Sequence, residues 1–341
     1  MVNKFHHCSL KIPLNEVQIS TISKFNSLVY EGKILIHERK ECFCGGKEFE
    51  TLSSFDRFCL PFGTQICKSC GLVSQKLSIS ENSLQLFYDQ IYWPLIRGVE
   101  KKNIYKNLFK TSPKKEESQS FVLPYLLSQK KENIRIFEVG CGEGLRVKKL
   151  VKELNKFGIN NQAYGCDYST EAIKNFEKTN IKVVIGGIES LETFGKADIL
   201  ILSHVFEHMN DLKKALEQIK KIIKTDGLVY IEVPGLIDLK NKVEYGYSYQ
   251  NYNVLAHVYN FSLVTLSNVM SFGGFKLIEG DEFIRSVFTL GTSQQTKSGY
   301  KQIKKALKDS RIKEKSYEKK NSFYRYIKRL LKVLLGKKGF L

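Results

Sequence analysis

Apolar residues follow two rhythms in the second half of this chain. Ile136, Phe137 and Val139 form a short run that reads as a buried parallel strand. Leu145, Val147, Leu150, Val151 and Leu154 then recur at helical spacing, with lysines between them. Further short runs over residues 163–167, 182–185, 197–202 and 228–233 read as strands, and residues 211–224 as an amphipathic helix. Residues 275–279 and 286–292 read as a closing antiparallel pair joined by a loop. Alternation of this kind predicts an α/β domain built on a largely parallel sheet, spanning residues 133–295.

The first 132 residues are less regular. Val17, Ile19, Ile22, Phe25, Leu28 and Val29 fit an early helix or a strand. Leu84, Phe87, Tyr88, Ile91 and Tyr92 recur at helical spacing, so residues 76–132 read as a helical linker or lid. Within it, residues 111–120 are polar and charged, with Pro113, and read as a loop.

The strand over 136–139 ends in Gly140-Cys141-Gly142-Glu143-Gly144, with Glu138 two residues before the first glycine. Strand, glycine turn and helix together bring backbone N–H groups and a helix N-terminus against a ligand. A dinucleotide site wants Gly-x-Gly-x-x-Gly, whereas the spacing here is Gly-x-Gly-x-Gly. Asp167 ends the second strand, 23 residues after Gly144. A carboxylate there can accept both ribose hydroxyls of a nucleoside. These residues resemble the first motifs of the class I S-adenosylmethionine (SAM)-dependent methyltransferases. That resemblance implies a Rossmann-like seven-stranded sheet whose last strand is antiparallel. It implies SAM bound along Glu138, Gly140, Cys141, Gly142, Gly144, Asp167, Tyr168, Ile188, Ser203 and His204. Family members often carry an acid where Ile188 stands, so adenine is expected to rest on backbone and apolar groups.

After the fourth strand comes Ser203-His204-Val205-Phe206-Glu207-His208-Met209, similar to the family's Glu-His motif. The Asn/Asp-Pro-Pro-Tyr/Phe signature of many enzymes that methylate exocyclic amines is absent. An insertion after the fifth strand holds Tyr245, Tyr247, Tyr249, Tyr252 and Tyr259, and within it His257-x-x-x-Phe261-Ser262. Methyl transfer from a sulfonium needs an aligned acceptor and a group that removes the acceptor's proton. His208 and His257 are the candidate bases, each with a structural reading as a satisfied core histidine. Glu207 is placed to orient an imidazole or bind hydroxyls. Tyr88, Tyr92 and Tyr259 are placed to hydrogen-bond a sugar or polarise a carbonyl, although aromatic stripes usually pack a core.

Cys42-x-Cys44-Gly and Cys67-x-x-Cys70-Gly resemble the two knuckles of a zinc ribbon, and four thiolates suit tetrahedral Zn²⁺. The first pair is one residue short of the usual spacing, and Cys59, lying between the pairs, is a substitute ligand. Residues 1–75 are thus an N-terminal region with a knuckle over about 40–75; His6, His7 and Cys8 read as incidental. With no membrane-length apolar run and no secretory leader, the chain reads as cytoplasmic and its eight cysteines as reduced. Knuckle, Phe87-Tyr88-x-x-x-Tyr92, methyltransferase core and late His-x-x-x-Phe-Ser occur in an order that resembles enzymes of polysaccharide and deoxysugar biosynthesis, including NDP-sugar C-methyltransferases. That resemblance implies a sugar-nucleotide or glycan acceptor.

Charge singles out the C-terminus. Residues 297–341 carry sixteen Lys and Arg against three acids, +13 of the net +19. Phe323, Ile327, Leu330, Leu331 and Leu334 fall on one helical face, with Arg325, Lys328, Arg329 and Lys332 around the rest. A basic amphipathic helix over 296–341 suits an anionic membrane surface, so the protein is expected at the inner face of the membrane. A polyanion such as RNA is the rival partner, and with it an RNA-modifying methyltransferase; a noncatalytic SAM-binding module is the third reading.

Overall fold

The computed structural model describes residues 8–100, 118–169, 176, 179–292 and 298–334. The early apolar segment is a helix, α1 (Glu16–Tyr30), started by a capping box between Asn15 and Gln18. Strands β1 (Ile36–Glu38), β2 (Phe49–Ser53), β3 (Thr64–Cys67), β4 (Val73–Gln75) and β5 (Leu77–Ile79) follow. Short helical turns then cover Leu84–Phe87, Tyr88–Tyr92 and Trp93–Arg97. Most of the charged stretch expected to be a loop, residues 111–117, lies outside the described residues; from Ser118 the chain is helical, α2 (Ser118–Ser128).

The sheet is assembled from β6 (Asn133–Val139), β7 (Asn160–Asp167), β8 (Lys182–Ile185), β9 (Ala197–Ser203) and β10 (Ile223–Glu232), closed by β12 (Phe275–Gly280) and β13 (Arg285–Leu290). Its order is β12-β13-β10-β9-β6-β7-β8. The five central strands run parallel and β13 is antiparallel to both neighbours. Helices α3 (Leu145–Lys156), α4 (Leu212–Ile222) and α5 (Leu263–Phe272) make the crossovers. Asp211 starts α4 by accepting from Lys213 N and Lys214 N.

Alternation along each strand divides the core in two. Ile134, Ile136, Ile199 and Ile201 face α2 and α3, meeting Val122, Leu126, Val147, Leu150 and Leu154. Phe137, Val139, Leu200 and Leu202 face the other way, onto Leu216, Ile219, Leu266 and Val269 of α4 and α5. β9 is buried throughout, as a parallel strand covered on both faces must be.

The second apolar layer continues into Cys42, Cys67, Leu72, Val258 and Tyr259, so the cysteine module shares the core of the α/β domain. The join is a second sheet, ordered β11-β4-β3-β2, in which β11 (Tyr259–Asn260) comes from the insertion after β10. Tyr259 pairs with Ser74 and Asn260 with Val73. The last helix, α6 (Tyr300–Leu334), starts on this module: Gly299 N donates to the Cys70 carbonyl at 3.0 Å. Its first half packs on the insertion, with Ile303 fully buried and Ser310 Oγ donating to Tyr247 O at 2.7 Å. The apolar face expected at residues 323–334 lies outside the described side chains. Among the described residues no helix is long and apolar enough to cross a membrane.

Two cysteines depart from expectation. Cys8 and Cys59 form a disulfide, so Cys59 is not a substitute metal ligand and the eight cysteines are not all reduced. The bond closes a loop across 51 residues, a pairing that needs spatial proximity no linear spacing reveals.

Candidate active site

Parallel pairing of β6 with β9, Val139 opposite Leu202, makes their C-terminal loops leave the sheet side by side. One loop carries the glycines and the other the Glu-His motif, at the edge where open α/β sheets place ligands.

In the first loop Gly140, Gly142 and Gly144 all have positive φ, 63°, 52° and 71°. At Gly144 a Cβ would lie 2.3 Å from the Phe176 ring; at Gly142 it would meet nothing within 4 Å, so the backbone there is open to a ligand. Asp167 anchors the loop: its carboxylate accepts from Gly142 N and Ser169 N, each at 2.8 Å. Burial raises its pKa, and each oxygen keeps a lone pair for a further donor. Glu138 is buried and accepts from Val147 N at 3.2 Å; burial pushes it up to about 7, against the attraction of Arg146. Cys141 N donates to Cys166 O at 3.1 Å, while its buried thiol packs under Gly165. Tyr168 is half exposed and stacks parallel to Tyr88, ring centres 6.5 Å apart. Ile188 is buried in the core, so its backbone and flank are what it can offer a ligand. Ser203 Oγ donates to Glu232 at 2.7 Å, and His204, at φ 55°, donates its N–H to the Glu232 carbonyl at 2.7 Å.

The second loop and the insertion form one polar group. Glu207 Oε1 lies 3.6 Å from His204 Nδ1 and 3.7 Å from His208 Nε2. The His208 and His257 rings meet edge to face at 5.0 Å. Tyr88 and Tyr92 close around His208 at 6.1 and 5.8 Å. His208 Nδ1 donates to Ala256 O at 2.8 Å, so its proton sits on Nδ1 and Nε2 carries the lone pair. Burial lowers the pKa of both imidazoles, that of His257 further because His208 and Arg57 are near. At neutral pH both are therefore neutral. Tyr88 and Tyr92 are pushed well above the ordinary phenol range by burial and by Glu207, and stay protonated. Tyr259 is placed differently: its hydroxyl donates to Asn210 O at 3.2 Å and Arg39 covers its ring.

Asp56 and Glu232 were not singled out by sequence. Asp56 is fully buried and accepts from Phe58 N, Leu60 N and Leu255 N at 2.9, 2.9 and 3.1 Å, tying the N-terminal module to the segment that bears His257. Its short-range bonds make an Asx turn, a legible signal; its reach to Leu255 is not. Glu232 shows itself only as an acid at a strand end, facing Ser203 and, at 3.5 Å, Arg146.

The sulfurs of Cys42, Cys44, Cys67 and Cys70 lie within 4.8 Å of one another. Two tight turns build the cluster: Gly45 N donates to Cys42 O and Gly71 N to Cys67 O, both at 2.9 Å with φ above 80°. A Cβ at Gly71 would lie 2.2 Å from Tyr300 N, so the second knuckle also seats the start of α6. The Cys42 thiol and the Leu72 N–H, both turned on Cys70 Sγ, lower the pKa of the Cys70 thiol.

Residues 115–279 match the family model described as "Methyltransferase domain". Over 108 residues, 31% of each chain, the protein is 28% identical to (S)-coclaurine N-methyltransferase of Papaver somniferum. Over 148 residues it is 24% identical to malonyl-[acyl-carrier protein] O-methyltransferase 2 of Ilyobacter polytropus, covering 40% of this chain and 56% of that one. The chain thus spans between a third and little more than half the length of these curated relatives. The crystal structure of the plantazolicin methyltransferase BpumL in complex with a triazolic desmethylPZN analog and SAH aligns over 57% of this chain and 76% of its own, with 17% identity and a TM-score of 0.41. The family model covers the glycine loop, Asp167 and the Glu-His motif, and the strand order seen here is that of the Rossmann-like methyltransferase fold.

Proposed function

We propose that the chain transfers the methyl group of SAM to an oxygen, or to a carbon acidified by a neighbouring carbonyl, on a sugar nucleotide or glycan. SAM lies over Gly140, Gly142 and Gly144 with its ribose on Asp167, and the acceptor sits against Glu207, His208 and His257. The observation that carries this reading is the placement of both groups on loops from adjacent parallel strands. A sulfonium supplies its own electrophile, so the protein must align the acceptor, exclude water and handle its proton. Neutral imidazoles suit the last task, and the rings of Tyr88 and Tyr92 suit the apolar face of a sugar while walling off solvent. Asp56 and Asn260 brace the insertion on which His257 stands. The cysteine cluster holds one structural Zn²⁺ with no open position.

The test is methyl-labelled SAM incubated with separate pools of nucleotide sugars, glycolipids and RNA. Label in the nucleotide-sugar or glycolipid pool is expected; label in RNA alone would overturn the acceptor class. On the labelled acceptor, His208→Ala and His257→Ala should lower turnover by about 10²–10⁴-fold with SAM affinity kept. Near-normal turnover in both variants would remove the histidines from the chemistry.

A further inference from the structure

We infer that Glu207, His208 and His257 hold a divalent first-row metal cation, and that this cation binds the oxygen of the methyl acceptor. The inference rests on the acceptor site proposed above, with the imidazoles holding the cation rather than taking the acceptor's proton. One ligand atom from each of the three side chains lies within 4.8 Å of the other two. Metal bonds of 2.0–2.2 Å put neighbouring ligand atoms about 3 Å apart, so the 3.7 Å between Glu207 Oε1 and His208 Nε2 closes with a side-chain shift under an ångström.

Three features single this group out from an ordinary buried cluster. Glu207 is 1% exposed, and among the described residues neither of its oxygens has a hydrogen-bond partner. A buried carboxylate left that way is strongly unfavourable, and a cation is what it lacks. His257 Nδ1 is likewise buried without a partner. His208, by contrast, spends Nδ1–H on the Ala256 carbonyl and aims the lone pair of Nε2 at Glu207. A ring N–H given to a backbone carbonyl is how metal-binding histidines are oriented. Arg57, the cation on the neighbouring loop, gives one guanidinium nitrogen to Tyr252 O at 3.0 Å and stacks on the Tyr245 ring. Two imidazoles and one carboxylate leave coordination positions open on the side of the acceptor.

The step balances with a solvent water as the only further participant. The acceptor's hydroxyl would bind the cation through oxygen, which lowers its pKa, and its proton would pass to a solvent water. An oxygen lone pair forms the new O–CH₃ bond. The C–S bond breaks, and its electron pair stays on sulfur as the neutral thioether of S-adenosylhomocysteine.

Mn²⁺ is the probe, because oxygen and nitrogen ligands suit it whereas a thiolate cluster prefers zinc. The full chain, with the cysteine site filled by one equivalent of zinc, is titrated with Mn²⁺ while free Mn²⁺ is followed by electron paramagnetic resonance. One Mn²⁺ per chain is expected, with nitrogen hyperfine coupling from two imidazoles. Glu207→Gln and His257→Ala should each weaken binding by about 10²-fold, and Glu207→Asp should retain it. Absence of nitrogen coupling in the unmutated chain, or binding indifferent to all three substitutions, overturns the site. Should Mn²⁺ fail to bind while the histidine variants still lose turnover, the cation is refuted and the methyl-transfer reading survives. Should Mn²⁺ bind as described while no acceptor pool is labelled, the cation site stands and that reading falls.

Discussion

At the scale of single residues, the carboxyl of Glu138 shows how burial sets behaviour. Its one backbone donor and the nearby Arg146 do not offset the loss of water, and its pKa stands at about 7 rather than 4.5. A carboxyl whose folded pKa is raised contributes stability that is complete below its ordinary value and is lost as pH climbs through the raised one. The loss amounts to about 3 kcal/mol between pH 4.5 and 7 and above. Glu138→Gln keeps the acceptor for Val147 N and cannot ionise. Urea denaturation should find the two proteins nearly equal at pH 5 and the variant about 3 kcal/mol more stable at pH 8. A difference that stays flat over that range would mean the carboxyl is not held neutral by burial. Residue identity made this position legible, because an acid before Gly-x-Gly-x-Gly stands out. Asp56 was not legible in the same way, since its decisive bond is to Leu255, about two hundred residues away.

Elements were legible in proportion to their periodicity. β6 and β9 declare themselves because each is a short apolar run leading into an amphipathic helix, and parallel pairing of successive units leaves few arrangements. The N-terminal strands are three to five residues long and have no such rhythm, and β11 has two. What holds them is the cysteine cluster and a strand contributed from residues 259–260, neither encoded by local pattern. The consequence is a mechanical link from the cysteine cluster to the site. Gln75 N donates to Val258 O at 2.8 Å and Gln75 Nε2 to Val254 O at 2.9 Å, either side of His257. Metal analysis of anaerobically prepared protein should find one zinc per chain bound to the four cysteines. Cys70→Ser should release it and lower Tm by about 10–20 °C, the equivalent of several kcal/mol for a chain of this size. Turnover should fall as well, because β4 no longer fixes the segment under His257. Zinc retained at full stoichiometry in that variant, or a Tm unmoved by chelation, would count against the assignment.

The whole molecule is a methyltransferase sheet whose N-terminal module, insertion and C-terminal helix are laced to one another rather than appended. Lys11 pairs with Glu318 of α6 at 2.9 Å and also with Glu314, while Glu50 of β2 bonds Tyr300 and Lys304. α6 therefore begins as a structural strap, with Ser310 buried and Glu314 and Glu318 paired to Lys11. Beyond them the sequence changes character: residues 323–341 hold six Lys and Arg and no acid, with apolar residues at helical spacing. A basic end of this kind is what an anionic surface would attract. Each basic residue near such a surface contributes about 1 kcal/mol. Replacing Arg325, Lys328, Arg329 and Lys332 by serine in the full chain should weaken sedimentation with phosphatidylserine-containing vesicles by about 10²–10³-fold, while neutral vesicles bind neither protein well. Turnover on a soluble acceptor should be unchanged. Equal partitioning of the two proteins would remove the membrane role, and retention of RNA that weakens steeply with salt would assign the same charge to a nucleic-acid partner instead.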